Sequence, residues 1–463
     1  MQTYQDLLAI GEQEDVRMDF VKKTIAAHKA TELYRVAAIA DDYDRHRNRT
    51  IMNFQKLLYT VSGEAVPDNY SANYKIPSRF FNRFTTQQNQ YLLGNGVTWE
   101  DDATIEKLGE DFDYQLQKAG KLALVGGVSF GFFNLDHIDV FSVLEFAPLY
   151  DEENGALAAG IRFWQVDEKK PLRATLYEMD GYTDYIWKNG KGEVKDPKRA
   201  YTQVVEHSEA DGDRIYDGEN YEAFPIVPLW GNPARQSELI GIREQIDAYD
   251  LIKSGFCNTI DEASFIYWAI ENAGGMDDID LASFVERMKT LHAATVNANG
   301  ATASAHSIEA PHEGREALLD RLRRDLYEDY MALDVREIAG GAQNQAQIQA
   351  IYEPINSKAD DYEYCVLEFL KGIMAVAGIE DNPTFTRSAI QNRKEQLDSV
   401  LAAAAVLDEE YVTRKVLTLL GDGDQADEVL ERMKLENMER FGEGDGAPGD
   451  GGNNETDEKG GNE

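Results

Sequence analysis

Between Gly231 and Ser264 the chain reads GNPARQSELIGIREQIDAYDLIKSGFCNTIDEAS, and no proline interrupts it after Pro233. Apolar side chains at Leu239, Ile242, Ile246, Tyr249, Ile252, Phe256, Ile260 and Ala263 recur in steps of three or four. That spacing puts them on one stripe of a single helix. Asn232 and Pro233 supply turn and first-turn chemistry at its entry. At ~1.5 Å per residue, a helix from Glu238 to Ser264 spans roughly 40 Å. A helix so long, with one narrow apolar stripe, packs beside others like itself or lies buried in a large globular protein. The pattern alone leaves both open.

The next seventy residues favour a paired arrangement. Phe265–Asn272 reads as a strand, Gly274-Gly275 as a turn and Leu281–Leu291 as a helix. Ala294–Asn297 and Ser307–Glu309 read as further strands, and Pro311 closes this small α+β insert. Glu313 to Val335 is a second long helix, with Leu318, Leu319, Leu322, Leu326, Tyr330 and Leu333 on its apolar face. The chain thus runs out along one long helix, builds a module and returns along another. A flexible polar loop from Arg336 to Gln343 comes next. A third long helix, about Asn344 to Ala377, contains Pro354, which lacks the N–H of its turn and predicts a kink.

The 463 residues correspond to about three structural units at ~150 residues each. Before the long helix, residues 1 to about 110 read as helical, with runs at Asp15–Tyr43 and Ile76–Leu93, a loop at Gly63–Tyr74 and a turn at Gly94-Asn95-Gly96. After a helix at Ile105–Leu122 the texture becomes that of antiparallel strands: Val128–Asn134, Ser142–Pro148, Ala158–Val166, Leu172–Glu178 and Thr183–Lys188. A polar loop around Asp211 to Gly218 precedes Phe224–Trp230. Beyond the third long helix lie an extended piece at Asn382–Arg387 and helices at Ile390–Ala405, Asp408–Leu419 and Gln425–Arg440. From Phe441 onward nothing can form a core, which predicts a disordered acidic tail.

Charge narrows the function. The net charge is −38, from 84 acidic and 46 basic residues. Such a surface repels polyanions, which argues against tight sequence-specific DNA binding but suits a protein past which DNA slides. Cys257 and Cys365 lie far apart, as in a reducing compartment rather than a disulfide scaffold. The N-terminus lacks a signal-peptide layout, and no apolar run approaches the roughly 18 residues that span a bilayer. These features predict a soluble protein made in cytosol.

Catalytic signatures are missing. There is no phosphate-cradling G-x-x-x-x-G-K-[ST], no H-x-x-x-H among the seven histidines and no C-x-x-C. Asp422 and Asp424 begin something like a calcium loop, but Ala426 stands where a third ligand belongs. With so many carboxylates, pairs such as Asp41-Asp42 and Asp277-Asp278 arise by chance. Arg315, Arg321, Arg323 and Arg324 form the notable basic cluster, and nearby Asp320, Asp325 and Glu328 point to ion pairing over phosphate contact. The chain reads as no enzyme, with no cofactor and no metal.

Four stretches together resemble the portal proteins of tailed bacteriophages of the siphovirus type. They are NYKIPSRFFNRFTTQQNQYLLGNGVTWEDD (73–102), GNPARQSELIGIREQIDAYDLIKSGFCNTIDE (231–262), REIAGGAQNQAQIQAIYEPINSKADDYEYCVLEFLKGIMAVAGI (336–379) and FTRSAIQNRKEQLDSV (385–400). Their order, and the two long helices flanking an insert, carry the likeness from about Asn73 to Arg440. The resemblance implies a mainly α fold with α+β parts. Its divisions would be a wing (1–234), stem helices (235–264 and 313–335) flanking a clip (265–312), a tunnel loop (336–346), a kinked helix returning to the wing (347–387) and a crown (388–440), before the tail (441–463).

The resemblance further implies a homo-dodecameric ring at one capsid vertex, in the virion and, during assembly, in the host cytoplasm. Double-stranded DNA would pass through its channel without sequence specificity. Implied partners are the terminase large subunit, the major capsid protein and scaffold, and a head-completion or adaptor protein, with no membrane. Arg336, Gly340, Gly341, Gln343, Asn344 and Gln345 would face DNA. Leu239, Ile242, Ile246, Tyr249, Ile252, Phe256, Leu322, Leu326 and Tyr330 would form the stem seam between subunits, and Trp268, Phe284 and Met288 belong to the clip. The competing readings are another ring-forming head-tail connector or capsid-associated structural protein, and an acidic hydrolase using paired carboxylates. Connectors are usually much shorter, and the hydrolase lacks any nucleophile, metal or nucleotide motif.

Overall fold

Local capping chemistry sets the helical N-terminal region. In the computed structural model, which describes residues 2–59, 63–69, 71–101, 103–188, 190–202, 204–208, 212–216, 218–263, 267–271, 283, 302–306, 312–336, 345–388, 400–404, 407–421 and 423–442, Thr3 opens α1 (Tyr4–Ala9) through a reciprocal bond pair with Asp6. The predicted run Asp15–Tyr43 divides into α2 (Glu14–Lys29) and α3 (Glu32–Asp44). Thr31 makes the break: its hydroxyl donates to the His28 carbonyl at 2.7 Å and accepts from Tyr34 N at 3.2 Å. One side chain thus ends one helix and starts the next.

After α4 (Arg49–Met52), the chain forms a hairpin of β1 (Leu57–Tyr59) and β2 (Ala65–Pro67), which the sequence pattern does not predict. The predicted helix from Ile76 begins only at α5 (Phe80–Leu93). Pro77 biases Ile76 away from helical angles, and the N–H groups of Ile76 and Ser78 bond side chains of a later helix instead. A short β3 (Val97–Thr98) comes next. The predicted helix Ile105–Leu122 is two helices, α6 (Ala103–Leu108) and α7 (Phe112–Gly126). Gly109, at φ +93°, turns the chain between them.

The β region contains more strands than the sequence pattern reveals. Its order is β4 (Val128–Asn134), β5 (His137–Ser142), β6 (Phe146–Tyr150), β7 (Leu157–Trp164), β8 (Leu172–Glu178), β9 (Gly181–Lys188), β10 (Lys191–Arg199), β11 (Val204–Ser208), β12 (Gly212–Tyr216) and β13 (Ile226–Trp230). They make antiparallel sheets ordered β13-β4-β5 and β10-β9-β8-β7-β6, with β11-β12 as a hairpin in place of a predicted polar loop. The predicted strand Ser142–Pro148 is the junction between sheets. Ser142 N donates to Glu145 at 2.9 Å and Leu144 N to Ser142 Oγ at 3.2 Å, closing a turn. β10 is hidden from pattern reading because it is a largely exposed edge strand carrying Pro197 and two register shifts.

Then come α8 (Arg243–Ala263), β14 (Tyr267–Glu271) antiparallel to β15 (Thr302–His306), α9 (His312–Tyr330) and α10 (Gln345–Ala377), with Pro354 inside α10. The partner of the first insert strand is therefore 302–306. The predicted strands Ala294–Asn297 and Ser307–Glu309 lie outside the described residues, as does all of the predicted helix Leu281–Leu291 except Ser283. β16 (Thr384–Phe385) pairs with β3. α9 stops at Tyr330 rather than Val335, with Met331 at φ +61°. α8 starts at Arg243, after a turn in which Ser237 Oγ donates to the Val125 carbonyl at 2.6 Å.

Two compact units divide the chain: Met1–Ala339 with Ile351–Ser388, and Gly340–Ala350 with Ala389–Glu463. In the first, α7 presents Ala119 and Ala123 to a core with Leu229 of β13 and Val366, Phe369, Leu370 and Ile373 of α10. Gly131 of β4 admits the Phe369 ring, whose Cζ would lie 2.5 Å from any Cβ there. In the second, α11 (Glu409–Leu420) is capped by Asp408 and ends at Gly421 with φ +99°. It pairs with α12 (Ala426–Gly442) through Arg414–Asp427 at 2.8 Å and Lys434–Glu410 at 3.1 Å. Residues from 443 onward, most of the predicted tail, lie outside the described residues.

Candidate functional site

The long α8 and α9 run against each other and against α5, and aromatic rings fill the seam. Phe80 meets Tyr249 edge-on at 5.0 Å, while Phe84 meets Tyr327 edge-on at 5.0 Å and stacks on Tyr330 at 4.8 Å. Leu239, Ile242, Ile246, Leu326 and Tyr330 are buried in this same core with Tyr43 and Phe81. These five, expected at the seam between subunits, are covered here by their own chain. Tyr249, Ile252, Phe256 and Leu322 are half-buried. Leu251, off the stripe, is exposed, and so are Ile260 of the α8 stripe and Leu318 of the α9 apolar face.

Polar contacts join the pair along its length. Arg315 donates to Thr259 Oγ1 at 2.7 Å, and Gln245 Nε2 donates to Asp329. Arg323 grips both oxygens of Asp334, at 2.8 and 2.7 Å, just past the end of α9. Arg321 lies 3.6 Å from Asp325. Ion pairing therefore occupies Arg321 and Arg323, as the charge pattern suggests.

At the base of the pair sits Lys358 of α10. Its Nζ lies 2.6 Å from Glu238 Oε2, donates to the Tyr330 carbonyl at 3.1 Å and stands 3.4 Å from the Tyr330 ring centroid. One ammonium thus satisfies a carboxylate at the entry to α8 and the last carbonyl of α9. Burial pushes the Lys358 pKa down, and Glu238 pushes it back up. Asn232 Nδ2 holds the other Glu238 oxygen at 2.8 Å. Tyr330 donates to Gln88 Oε1 at 2.7 Å, and burial raises its pKa well above the ordinary value.

A second face of α8 holds an extended strap. Asp250, Ser254 and Asn258, all buried, accept from Ser78 N at 2.8 Å, Ile76 N at 3.1 Å and Tyr74 N at 2.7 Å. Asn48 Nδ2 also donates to Asp250, at 2.9 Å. Burial is the largest influence on Asp250 and raises its pKa, against the opposing hydrogen bonds. Sequence reasoning missed this ladder. Its signal is polar residues at i, i+4 and i+8 beside the apolar stripe.

Of the predicted DNA-facing residues, Arg336 is exposed, and its N–H bonds Asp334 Oδ1 at 3.1 Å. Gln345 is the first residue of α10, so the helix begins inside the range assigned to the loop. Gly340, Gly341, Gln343 and Asn344 lie outside the described residues, as do Phe284 and Met288. Trp268 lies in β14 opposite Ala305. Among the described residues no cluster of His, Cys, Asp or Glu could hold a metal, and no helix is long and apolar enough to cross a membrane.

Known proteins share this sequence pattern over most of its length. The family described as phage portal protein, SPP1 Gp6-like, matches residues 22–440. The portal protein of Clostridium phage phiCD119 is 23% identical over 226 residues, 47% of this chain and 50% of that protein, so the chain spans half of this relative's length. The portal protein of Bacillus phage SPP1 is 23% identical over 378 residues, 75% of this chain and 73% of that one. A chain from the neck of an empty GTA particle, solved with C6 symmetry, aligns with a TM-score of 0.44 and 10% identity over 74% of this chain and 90% of that chain.

Proposed function

The chain belongs to the SPP1 Gp6-like phage portal proteins, and from that premise we propose that it is the subunit of a dodecameric ring at one capsid vertex, through which double-stranded DNA is packaged and ejected. The family match over residues 22–440 carries this reading. The paired helices α8 and α9 support it as a stem, with 265–312 as the clip, 336–346 as the tunnel loop, 388–440 as the crown and 1–234 with 347–387 as the wing. A chain at −38 lines a conduit well, because an acidic wall gives sliding phosphates nothing to hold. The ring performs no chemistry. The terminase motor docks on it during packaging, and head-completion and tail-connector proteins replace the motor afterwards.

Particle images of the purified full-length protein test the ring directly. Rings with a central hole and about twelve-fold symmetry are expected; a compact monomer at every concentration overturns the reading. Deleting Gly340 to Gln345 tests the loop. Rings should persist while packaged DNA falls, and loss of folding instead would show the loop assignment to be wrong.

A further inference from the structure

The β1–β2 hairpin is unlike the rest of the surface. Among the described residues its strands pair only with each other, Leu57 opposite Pro67 and Leu58 opposite Val66. Consecutive strand residues point to opposite faces, so Leu57 and Leu58 mark both faces of the hairpin. They are 51% and 43% exposed, and Val66 and the flanking Phe54 are exposed as well. Among the described residues, neither face is fully covered by its own chain. A lone two-stranded hairpin is marginal in water, and apolar surface on both sides calls for cover.

The hairpin is nonetheless firmly rooted. On its entry side, Asn48 and Thr50 bond Asp250 and Asp247 of α8, at 2.9 and 2.8 Å. On its exit side the strap 74–78 is held by the ladder on α8. Lys75 Nζ closes the base by donating to the Met52 carbonyl at 2.6 Å. The hairpin therefore projects from a fixed place beside the stem pair.

We propose that this hairpin is an arm with which each copy of the chain grips a neighbouring copy. The inference rests on the ring reading. Charge selects the occupant. From Ile51 to Pro67 the only charged residues are Lys56 and Glu64, in a chain that is 28% charged with a net −38. Two copies meeting through average surface bring like charges together, and the cost is least where charge is sparse. A polyanion would seek cations, and one lysine among these residues offers little. Ring closure needs heterologous contacts, in which a projecting element of one copy meets a different surface of the next.

The test uses the full-length protein, Leu57→Glu/Leu58→Glu, and a form with photoreactive benzoylphenylalanine at position 58. Both leucines are exposed, so the double variant should keep the wild-type melting temperature. It should lose rings in particle images, or need at least about tenfold more protein for half-assembly, the scale of about 1.4 kcal/mol of contact energy. Irradiation should join two chains and give a band at twice the 52.0 kDa chain mass. Unchanged rings in the double variant overturn the arm alone. So do cross-links confined to one chain, or formed only with another capsid component in assembling particles. Wild-type protein that never assembles overturns the ring reading and the arm with it.

Discussion

Replacing Lys358 with Met keeps the length of the side chain while removing its charge and donors. The Lys358 and Glu238 side chains are only 17% and 10% exposed, so Met would leave a carboxylate stranded in a nearly dry site. Breaking a buried pair from one side costs about 3–5 kcal/mol. The variant also loses the cap on the Tyr330 carbonyl and the cation over its ring. The unit containing the pair has roughly 380 residues, for which an unfolding entropy near 2.1 cal/mol/K per residue gives about 0.8 kcal/mol/K. Lys358→Met should therefore lower the melting temperature of that unit by about 4–6 °C.

The control is the double variant Lys358→Met/Glu238→Gln. Gln still accepts from Asn232 but carries no charge to strand. Replacing both members of a buried pair by neutral groups is often close to neutral, so most of the loss should return, to within about 2 °C of wild type. Tryptophan fluorescence and calorimetry on the same samples read the result. If the single and double variants melt together, the carboxylate was not stranded, and the account of Lys358 as the node at the base of the helix pair is wrong.

Asp250 gives a pH signature. Its folded pKa is raised, so its contribution is complete below the unfolded value of about 3.9 and is lost as pH rises through the folded value. Melting curves should show the advantage of wild type over Asp250→Asn shrinking as pH rises above about 4; an advantage that grows as pH rises contradicts the buried-carboxylate account. Gly131→Ala drives a methyl into the Phe369 ring. It should cost about 1–3 kcal/mol, read as a lower denaturation midpoint, and an unshifted midpoint means α10 does not pack on β4 as described.

The amphipathic stripe of α8 was legible because apolar residues at helical spacing have one economical use. β4 and β8 were legible to the residue for the parallel reason in strands. The division of burial was not. Leu239 or Leu326 buried in one core with Phe84 within a chain needs the same apolar side chain as one buried against a neighbour, so the pattern could not separate a core from a seam. The β1–β2 hairpin and β10 were missed because both are largely exposed, and strand prediction feeds on one-sided burial. Helix starts at Ile76 and at Glu238 were placed too early. In both places side-chain acceptors or turns take N–H groups that a helix would have used.

The ladder on α8 explains how an amphipathic helix can bury its polar stripe as well. Four helical residues advance about 6.0 Å, and two extended residues advance about 6.6 Å. Each rung between α8 and the strap therefore drifts by only about 0.6 Å. Three rungs, at Asp250, Ser254 and Asn258, fit within hydrogen-bond tolerance. By a further turn, near Glu262, the accumulated offset is about 2 Å, more than a hydrogen bond absorbs. The match in rise thus sets the length of the strap as well as its place. The same three side chains that let α8 bury its polar face also fix the exit root of the hairpin. The helix α8 and the hairpin therefore cannot shift independently: a change of one rung on α8 moves Ile76, and with it the base closed by Lys75 on Met52.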